Sequence, residues 1–269
     1  MTSIETAVWD DVGRISSLVP QWRTLRGAGI TTIFGSPDWV LAAWQHLPSL
    51  GKPLLLTACS NGQLLGLMPL AVTRRSDGTR LLHYAGSPLT DKCDTLAAPG
   101  DQDLALKGIL HAVRSALGPH DVLRISELDR EGLLAGVLAR RDLRNDFGLA
   151  VEQHAGDLSP VISIMRAGAV DRRWQPASRA QWDNRRRWLA RQGNLRFARQ
   201  ASMRDFETEM RAFVRNRLDR WNQRGRLDEL PDVEREAGFE EFLTQCCTRL
   251  AARGCCFLAH LLLDGAPVI

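Results

Sequence analysis

The order of the predicted secondary-structure elements constrains this chain most, because the same order is predicted twice. In the first half, apolar and alternating runs predict the order β-α-α-β-β-β-α-β-α-β-β up to residue 164. From residue 194 the order β-α-α-β-β begins again, with strands at 194–200 and 255–263 around two long amphipathic helices. Such a repeat indicates an α/β fold in two copies, the second of which is incomplete within these residues.

Two dipeptides predict tight hairpin turns between strands. Asn61-Gly62 lies between two apolar runs of β type, and Asp264-Gly265 follows a further apolar run. The second hairpin has only residues 266–269 in its outer arm. The outer edge of such a short arm would have no strand partner, so we expect the sequence to be truncated at its carboxy terminus.

Composition favours a sizeable core and excludes a membrane-spanning class. The chain has 269 residues, 44% of them hydrophobic, which is enough for two domains of about 100–150 residues each. No apolar run approaches the ~20 residues of a transmembrane helix, and the first residues do not resemble a signal peptide. We therefore expect a cytoplasmic protein.

The six cysteines are Cys59, Cys93 and two adjacent pairs at 246–247 and 255–256. Adjacent cysteines do not easily bridge to each other, so reduced thiols are expected. The pairs lack the C-x-x-C spacing of common zinc sites, and core thiols are the simpler interpretation. We predict no metal site, with a site formed by the two pairs as the less favoured alternative.

Positive charge is concentrated in one region of the sequence. Between Arg166 and Arg226 there are 17 arginines, no lysine and six acidic residues, a balance of +11. Because the formal net charge is +4, the rest of the chain carries −7. The region is expected to face an anion or to form a solvated surface. Its tryptophans are interpreted as core residues: Trp174, Trp182, Trp188 and Trp221.

Several short motifs, taken in order, resemble one family. They include 34–39 (FGSPDW), 62–70 (GQLLGLMPL), 82–86 (LHYAG), 184–189 (NRRRWL) and 263–268 (LDGAPV). Together with the element order, they resemble the GNAT acyltransferase fold and, more narrowly, CelD/BcsL-type proteins, which are similar to FemAB-like double-GNAT aminoacyltransferases. The resemblance covers nearly the whole chain.

The resemblance implies an α/β architecture of two GNAT-like mixed-sheet domains with flanking helices. Residues 1–165 would be a first domain on the acceptor side with a degenerate donor site. Residues 166–269 would be an Arg-rich helix and the N-terminal half of a second domain. The implied activity is transfer of an acyl group, with acetyl expected, from acyl-CoA to an amine or hydroxyl. Acetyl-CoA would be a co-substrate, and the acceptor a small molecule or a cell-envelope precursor.

The resemblance also implies a loop of pattern Q/R-x-x-G-x-G/A, where amides at a helix N-terminus hold the CoA pyrophosphate. The sequence contains no complete match. In the first half the corresponding loop, 96–103, contains Asp101 and Asp103, whose carboxylates suit the helix N-terminus themselves and would repel a pyrophosphate. The loop of the second half is expected beyond Ile269, so this chain is expected to bind acyl-CoA poorly.

Four residues are predicted to bind the acceptor. Asp91 and Asp94 follow the third strand of the first half, at 80–84, where the resemblance implies acidic residues that would bind an acceptor amine. The alternative is that both are ordinary loop aspartates without a function. Arg185 belongs to a run of three arginines that could hold a phosphate or carboxylate, although a solvated helix face is the simpler interpretation. Trp221 could wall the acceptor cleft or pack on the sheet. No general base is predicted.

The basic region supports a second hypothesis, a module that binds nucleic acid or another polyanion through its charge. Nucleic acid is the less favoured partner, because core positions account for the few aromatic residues of the region. Such a module would bind DNA or RNA tightly and in a salt-sensitive manner. A catalytically inactive partner protein is a third possibility.

Overall fold

The computed structural model of this protein describes residues 4–27, 32–128, 132–139, 152, 176–199 and 203–267. Within these ranges the chain forms a mixed α/β fold with two separate sheets, which confirms the predicted fold class. The last two strands of the order predicted for the first half, at 149–153 and 161–164, lie outside the described residues apart from Glu152, and so does the predicted boundary between 165 and 166.

The larger sheet belongs to the first half of the chain. Its strands are β1 (Glu5–Trp9), β2 (Lys52–Ser60), β3 (Gln63–Arg74), β4 (Arg80–Tyr84), β5 (Leu96–Ala97) and β6 (Val122–Arg124). The order is β1-β2-β3-β4-β6, and β5 pairs separately with β3. Neighbours are antiparallel except β4 and β6, which are parallel. This single parallel pair makes the sheet mixed.

The smaller sheet belongs to the second half. Its strands are β7 (Leu195–Arg199), β8 (Ala259–Leu263) and β9 (Ala266–Pro267), antiparallel in that order. The strand predicted at 255–263 therefore begins four residues later. It is also only partly buried, since β8 has no fully buried residue. The apolar run predicted a strand correctly but overestimated its length and burial.

Eight α-helices are described. They are α1 (Val12–Ser16), α2 (Val19–Gly27), α3 (Pro37–His46), α4 (Gln102–Ala116), α5 (Leu133–Leu138), α6 (Pro176–Ala190), α7 (Phe206–Gln223) and α8 (Phe239–Ala251). Short 3-10 turns are described at Ile33–Gly35, Pro48–Leu50, Leu227–Glu229 and Asp232–Arg235. No helix in the described ranges is both long and apolar enough to cross a bilayer.

Both predicted hairpin turns are present. Asn61 and Gly62 have φ angles of 50° and 74°, and Asp264 and Gly265 have φ angles of 50° and 85°. Two consecutive positive φ angles are typical of a type I′ turn, whose twist matches that of the flanking strands. Asparagine, aspartate and glycine tolerate this conformation better than other residues, so the turn type follows directly from the sequence.

The larger sheet is covered by helices on both faces. Along β2, Leu54 and Leu56 pack with α4 residues such as Ile109, whereas Leu55 packs in the opposite cluster. This alternation follows from the two-residue period of a strand. The opposite cluster joins the two halves of the chain, because it contains residues of α3 together with residues of α7 and α8.

Aromatic residues form the centre of this shared cluster. The rings of Trp39 on α3 and Phe242 on α8 lie edge to face, with centroids 4.9 Å apart. Phe34 contacts the same indole at 4.9 Å. The Trp39 indole N–H donates to Thr90 Oγ1 at 3.2 Å, so the polar edge of the ring is also satisfied. Helix α8 is thereby fixed against the first half.

A buried carboxylate lies beside these rings. Asp38, in the first turn of α3, is 2% exposed. It accepts a hydrogen bond from Arg23 Nη2 at 3.3 Å and also contacts the guanidinium of Arg253, which follows α8. A carboxylate is rarely buried without such partners. Asp38 therefore connects the two halves of the chain by charge as well as by position.

The ion pair of Arg80 and Asp121 gives a pH prediction. Hydrogen bonds from the Arg80 guanidinium and the Gly118 amide lower the pKa of Asp121 from its usual 3.8 to about 2. A depressed pKa stabilises the fold above the unfolded value, and this contribution disappears as pH falls through the folded value. We expect wild type and Asp121→Asn to differ in urea midpoint by a constant amount above pH ~4, and the difference to vanish towards pH ~2.

The same ion pair can be removed from the basic side. Arg80→Gln should reproduce the pH dependence of Asp121→Asn, because it removes the first cause of the depressed pKa. A midpoint difference that stays constant down to pH ~2 would show that this pair is not its source.

Candidate functional site

Residues 85–95, between β4 and β5, lie outside the larger sheet and contain two of the predicted site residues, Asp91 and Asp94. We call this segment the excursion. Pairing of β3 with β4 begins at Leu70, whereas β5 pairs only with Gly66 and Leu67. Pro69 lies between these segments and its carbonyl accepts from the Ala85 amide at 3.1 Å. Because proline has no amide hydrogen, β3 offers no donor where the pairing is interrupted. Residues 85–95 are therefore free to depart from the sheet.

The base of the excursion is closely packed. A Cβ added at Gly66 would lie 2.8 Å from Ala105 Cβ and 3.0 Å from the Leu96 carbonyl, so α4 approaches β3 more closely than any larger residue would allow. Cys93, within the excursion, is fully buried. Burial, followed by the charges of Glu127, Asp94 and Asp91, raises the pKa of Cys93 to about 12. This thiol is therefore neutral and is not an activated nucleophile.

Asp94 is held by backbone amides. Its carboxylate accepts hydrogen bonds from Leu133 N at 2.8 Å and Leu134 N at 2.9 Å, the first amides of α5. It also accepts from the Thr95 amide at 2.8 Å. A carboxylate at a helix N-terminus satisfies amides that have no partner within the helix. Asp94 thus fixes α5 to the excursion, whereas Asp91 is exposed.

The loop at 96–103, before α4, contains Asp101 and Asp103, the two carboxylates predicted to repel a pyrophosphate. Asp101 occupies the N-cap position but makes no capping hydrogen bond with its side chain, and Asp103 lies in the first turn. The Gly100 amide instead donates to Gln102 Oε1 at 2.9 Å. Negative charge at both positions already complements the helix dipole.

The two remaining predicted residues lie in the second half. Arg185 is exposed on α6, and Trp221 is half-buried near the end of α7. The guanidinium of Arg226 lies over the Trp221 ring at 5.5 Å, a cation–π contact. No hydrogen bond or ion pair described for these residues joins Arg185 or Trp221 to Asp91 or Asp94. The grouping of the four residues into one acceptor site therefore stays a prediction.

The interpretation of the tryptophans as core residues is wrong for two of them. Trp182 is 61% exposed and Trp188 is 59% exposed on α6. Trp174 lies outside the described residues. A tryptophan in an Arg-rich helix has the same sequence pattern whether it packs on a sheet or faces solvent, so only the tertiary structure distinguishes the two cases.

Two side-chain pairs in the second half were not found from the sequence. His260 Nε2 on β8 lies 2.7 Å from Glu209 Oε2 on α7, and the residues are 51 positions apart. The thiols of Cys247 on α8 and Cys256 interact, and this interaction raises the pKa of Cys247 and lowers that of Cys256. All six cysteines are free thiols. No cluster of three or more metal-ligating side chains occurs among the described residues.

One family model matches the second half of the chain. Residues 176–268 match the family model of the acetyltransferase (GNAT) domain. A search of curated proteins found no match. These residues contain α6, α7, α8 and the smaller sheet.

Several solved acetyltransferases match at low similarity. An aminoglycoside acetyltransferase from an uncultured soil metagenomic sample, in complex with sisomicin, is 10% identical, with a TM-score of 0.35 over 60% of this chain and 97% of that one. A Trypanosoma brucei acetyltransferase is 14% identical, with a TM-score of 0.31 over 59% and 100%. A ribosomal-protein-alanine N-acetyltransferase from Brucella melitensis biovar Abortus 2308 is 15% identical, with a TM-score of 0.32 over 60% and 99%. Scores this low carry no inference about substrate.

The family model supports a general assignment of activity but not the acceptor. Its match covers the Arg-rich helix α6 and ends within the hairpin of the smaller sheet, and it contains two of the five motifs, at 184–189 and 263–268. Residues 176–268 of this chain are thus similar to the GNAT acetyltransferase domain, over less than half of the sequence.

Proposed function

We propose that this protein transfers an acetyl group from acetyl-CoA to an amine or hydroxyl of a small molecule or cell-envelope precursor. The match of residues 176–268 to the GNAT domain carries the proposal. In this reaction the acceptor lone pair attacks the thioester carbonyl, the C–S bond breaks, and the acceptor proton passes to a base while CoA leaves. Orientation of the two substrates and polarisation of the carbonyl supply most of the catalysis.

We further propose that the chain is of the CelD/BcsL type, with GNAT-like domains at 1–165 and 166–269. The two sheets support this division. In each half the first strand pairs antiparallel with the first strand of a hairpin, giving the orders β1-β2-β3 and β7-β8-β9. In each half the hairpin closes through a type I′ turn, and helices separate its first strand from the opening strand.

In this proposal the acceptor site is formed by Asp91, Asp94, Arg185 and Trp221. Asp91 is the carboxylate available to an acceptor amine, because it is exposed at the tip of the excursion. Asp94 supports it by fixing the same excursion to α5. The Arg185 guanidinium would hold a phosphate or carboxylate of the acceptor, and the Trp221 ring would bind its apolar face.

The proposal is tested by isotope transfer with the protein at the length its gene encodes. The protein is incubated with acetyl-CoA labelled in the acetyl group and with amino sugars, amino acids and phosphorylated amines. Transfer of label to an acceptor, measured by mass spectrometry, is the expected result. Failure of the protein to bind or consume acetyl-CoA with every acceptor class would overturn the proposal.

Arg185→Gln tests the assignment of the acceptor anion. If Arg185 holds that anion in both the ground state and the transition state, the variant should raise the KM of a phosphorylated acceptor by about tenfold and leave kcat nearly unchanged. Arg215→Gln is the matched control, because Arg215 is also exposed but is bound to Glu240 at 2.8 Å. Equal changes in both variants would remove Arg185 from the site.

A further inference from the structure

The positive charge between Arg166 and Arg226 is neutralised unequally. On α7 and just after it, glutamates bind the arginines within 3.4 Å: Arg211 contacts Glu207, Glu240 and Glu241, Arg215 contacts Glu240, Arg217 contacts Glu234, and Arg226 contacts Glu229. Most of these glutamates lie on α8 or in the turns before it. The basic surface of α7 is therefore largely compensated within the fold.

The segment 176–199, from α6 through β7, retains its charge. It contains seven arginines and one acidic residue, Asp183. Within the part of the chain that the structure describes, no salt bridge involves Arg185, Arg186, Arg191 or Arg196. Arg187 hydrogen-bonds only within its own helix, to the Asp183 carbonyl and to Asn184 Oδ1. Unpaired guanidinium groups at this density attract an extended anion.

Exposed aromatic rings lie among these arginines. Trp182 and Trp188 on α6 are more than half exposed, and Phe197 on β7 is 70% exposed. On a helix, residues three and four positions apart are neighbours. Arg185 is therefore adjacent to both tryptophans, and Arg186 is adjacent to Trp182. We call residues 176–199 the basic–aromatic segment.

Few contacts within the protein stabilise the described part of α6. From residue 180 to the end of α6 at Ala190, only Asp183 and Leu189 are even half-buried. A helix of 15 residues gains most of its stability from packing of one face, and residues 180–190 of α6 show no such face. An external ligand that contacts both the guanidinium groups and the indole rings would supply the missing contacts.

We propose that the basic–aromatic segment binds single-stranded nucleic acid. The arginines would contact successive phosphates, while the indole rings stack on bases, a combination that tolerates any base sequence. A second copy of the same segment is excluded as the occupant, because the two positive charges would repel each other. A lipid surface fits less well, because insertion needs one apolar face, and Trp182 and Trp188 lie about 120° apart around the helix.

This inference goes beyond acetyl transfer and does not depend on it. The sequence disfavours nucleic acid as a partner only if the tryptophans of the basic region are core residues. Their exposure on α6 removes that argument.

Fluorescence anisotropy with the full chain tests the proposal. The probes are labelled oligothymidine of about 12 nucleotides and an RNA of equal length. We expect saturable binding at about 50 mM salt that weakens steeply towards about 200 mM. Arg186→Gln with Arg191→Gln should weaken binding at least tenfold and lower the logarithmic salt slope by about 1.4, since each phosphate contact in a single strand contributes roughly 0.7.

Matched variants distinguish binding by the basic–aromatic segment from a general effect of positive charge. Arg215→Gln with Arg226→Gln removes the same formal charge from ion-paired, exposed positions and should change affinity less than about twofold. Trp182→Ala with Trp188→Ala should weaken binding roughly tenfold without changing the salt slope. Phe213→Ala, also exposed but on α7, should have no effect. Arg186→Lys with Arg191→Lys should retain most of the binding.

Three results would overturn the proposal. The first is absence of saturable binding to either probe at about 50 mM salt. The second is an equal loss in both arginine-to-glutamine pairs, which would indicate a diffuse charge effect. The third is binding to vesicles that contain anionic phospholipid but not to the oligonucleotides, which would assign the segment to a lipid surface.

Discussion

Phe242→Ala is expected to lower the free energy of unfolding by about 3–5 kcal/mol, a large part of the stability of a typical domain. Phe242 is fully buried on α8 and contacts the Trp39 ring of α3 edge to face. Its truncation would leave a cavity in the cluster that joins the two halves of the chain. Because the aromatic contact is lost together with the buried area, the effect should exceed that of a peripheral core residue.

Urea unfolding measured by tryptophan fluorescence and by circular dichroism would check this value. Phe213→Ala is the control, because this phenylalanine is 53% exposed on α7, and we expect its loss to change the free energy by less than about 1 kcal/mol. If α8 is fixed to the first half as described, both probes should report a single transition for wild type. A cost below about 1 kcal/mol for Phe242→Ala would contradict the packing of α8 on α3.

Local features of the fold could be predicted from the sequence because their causes are local. Asn61-Gly62 and Asp264-Gly265 form type I′ turns since these residues tolerate positive φ. Helix α3 begins where Ser36 accepts a hydrogen bond from the Trp39 amide, with proline at the first helical position. These signals lie within four residues of the structure they determine.

Features of the candidate site that depend on distant residues could not be predicted. Asp94 resembles an ordinary loop aspartate until α5, about 40 residues later, supplies the amides that it accepts from. The arginines of α7 and α6 look alike in sequence, but Arg211 and Arg217 of α7 meet glutamates of α8 and its preceding turns, whereas Arg185 of α6 forms no ion pair within the described residues. Sequence composition thus gave the total charge, whereas tertiary contacts decide where that charge remains unpaired.

The contact of Arg253 with Asp38 is such a distant pair, and its loss should be costly. Arg253→Met is expected to destabilise the protein by about 2–3 kcal/mol, because it leaves the buried Asp38 carboxylate with Arg23 alone, at 3.3 Å. This cost is smaller than that of breaking a fully buried ion pair, because the side chains of Arg23 and Arg253 both reach solvent. Urea unfolding at neutral pH would measure it.

A second variant distinguishes a buried charge from lost packing. Asp38→Asn combined with Arg253→Met should be more stable than Arg253→Met alone, because the neutral amide costs less to bury than an incompletely paired carboxylate. Arg235→Met removes an exposed pair with Asp232 and should cost less than about 0.5 kcal/mol. If the double variant is no more stable than Arg253→Met, the methylene groups of Arg253, rather than its charge, hold α8 against the first half.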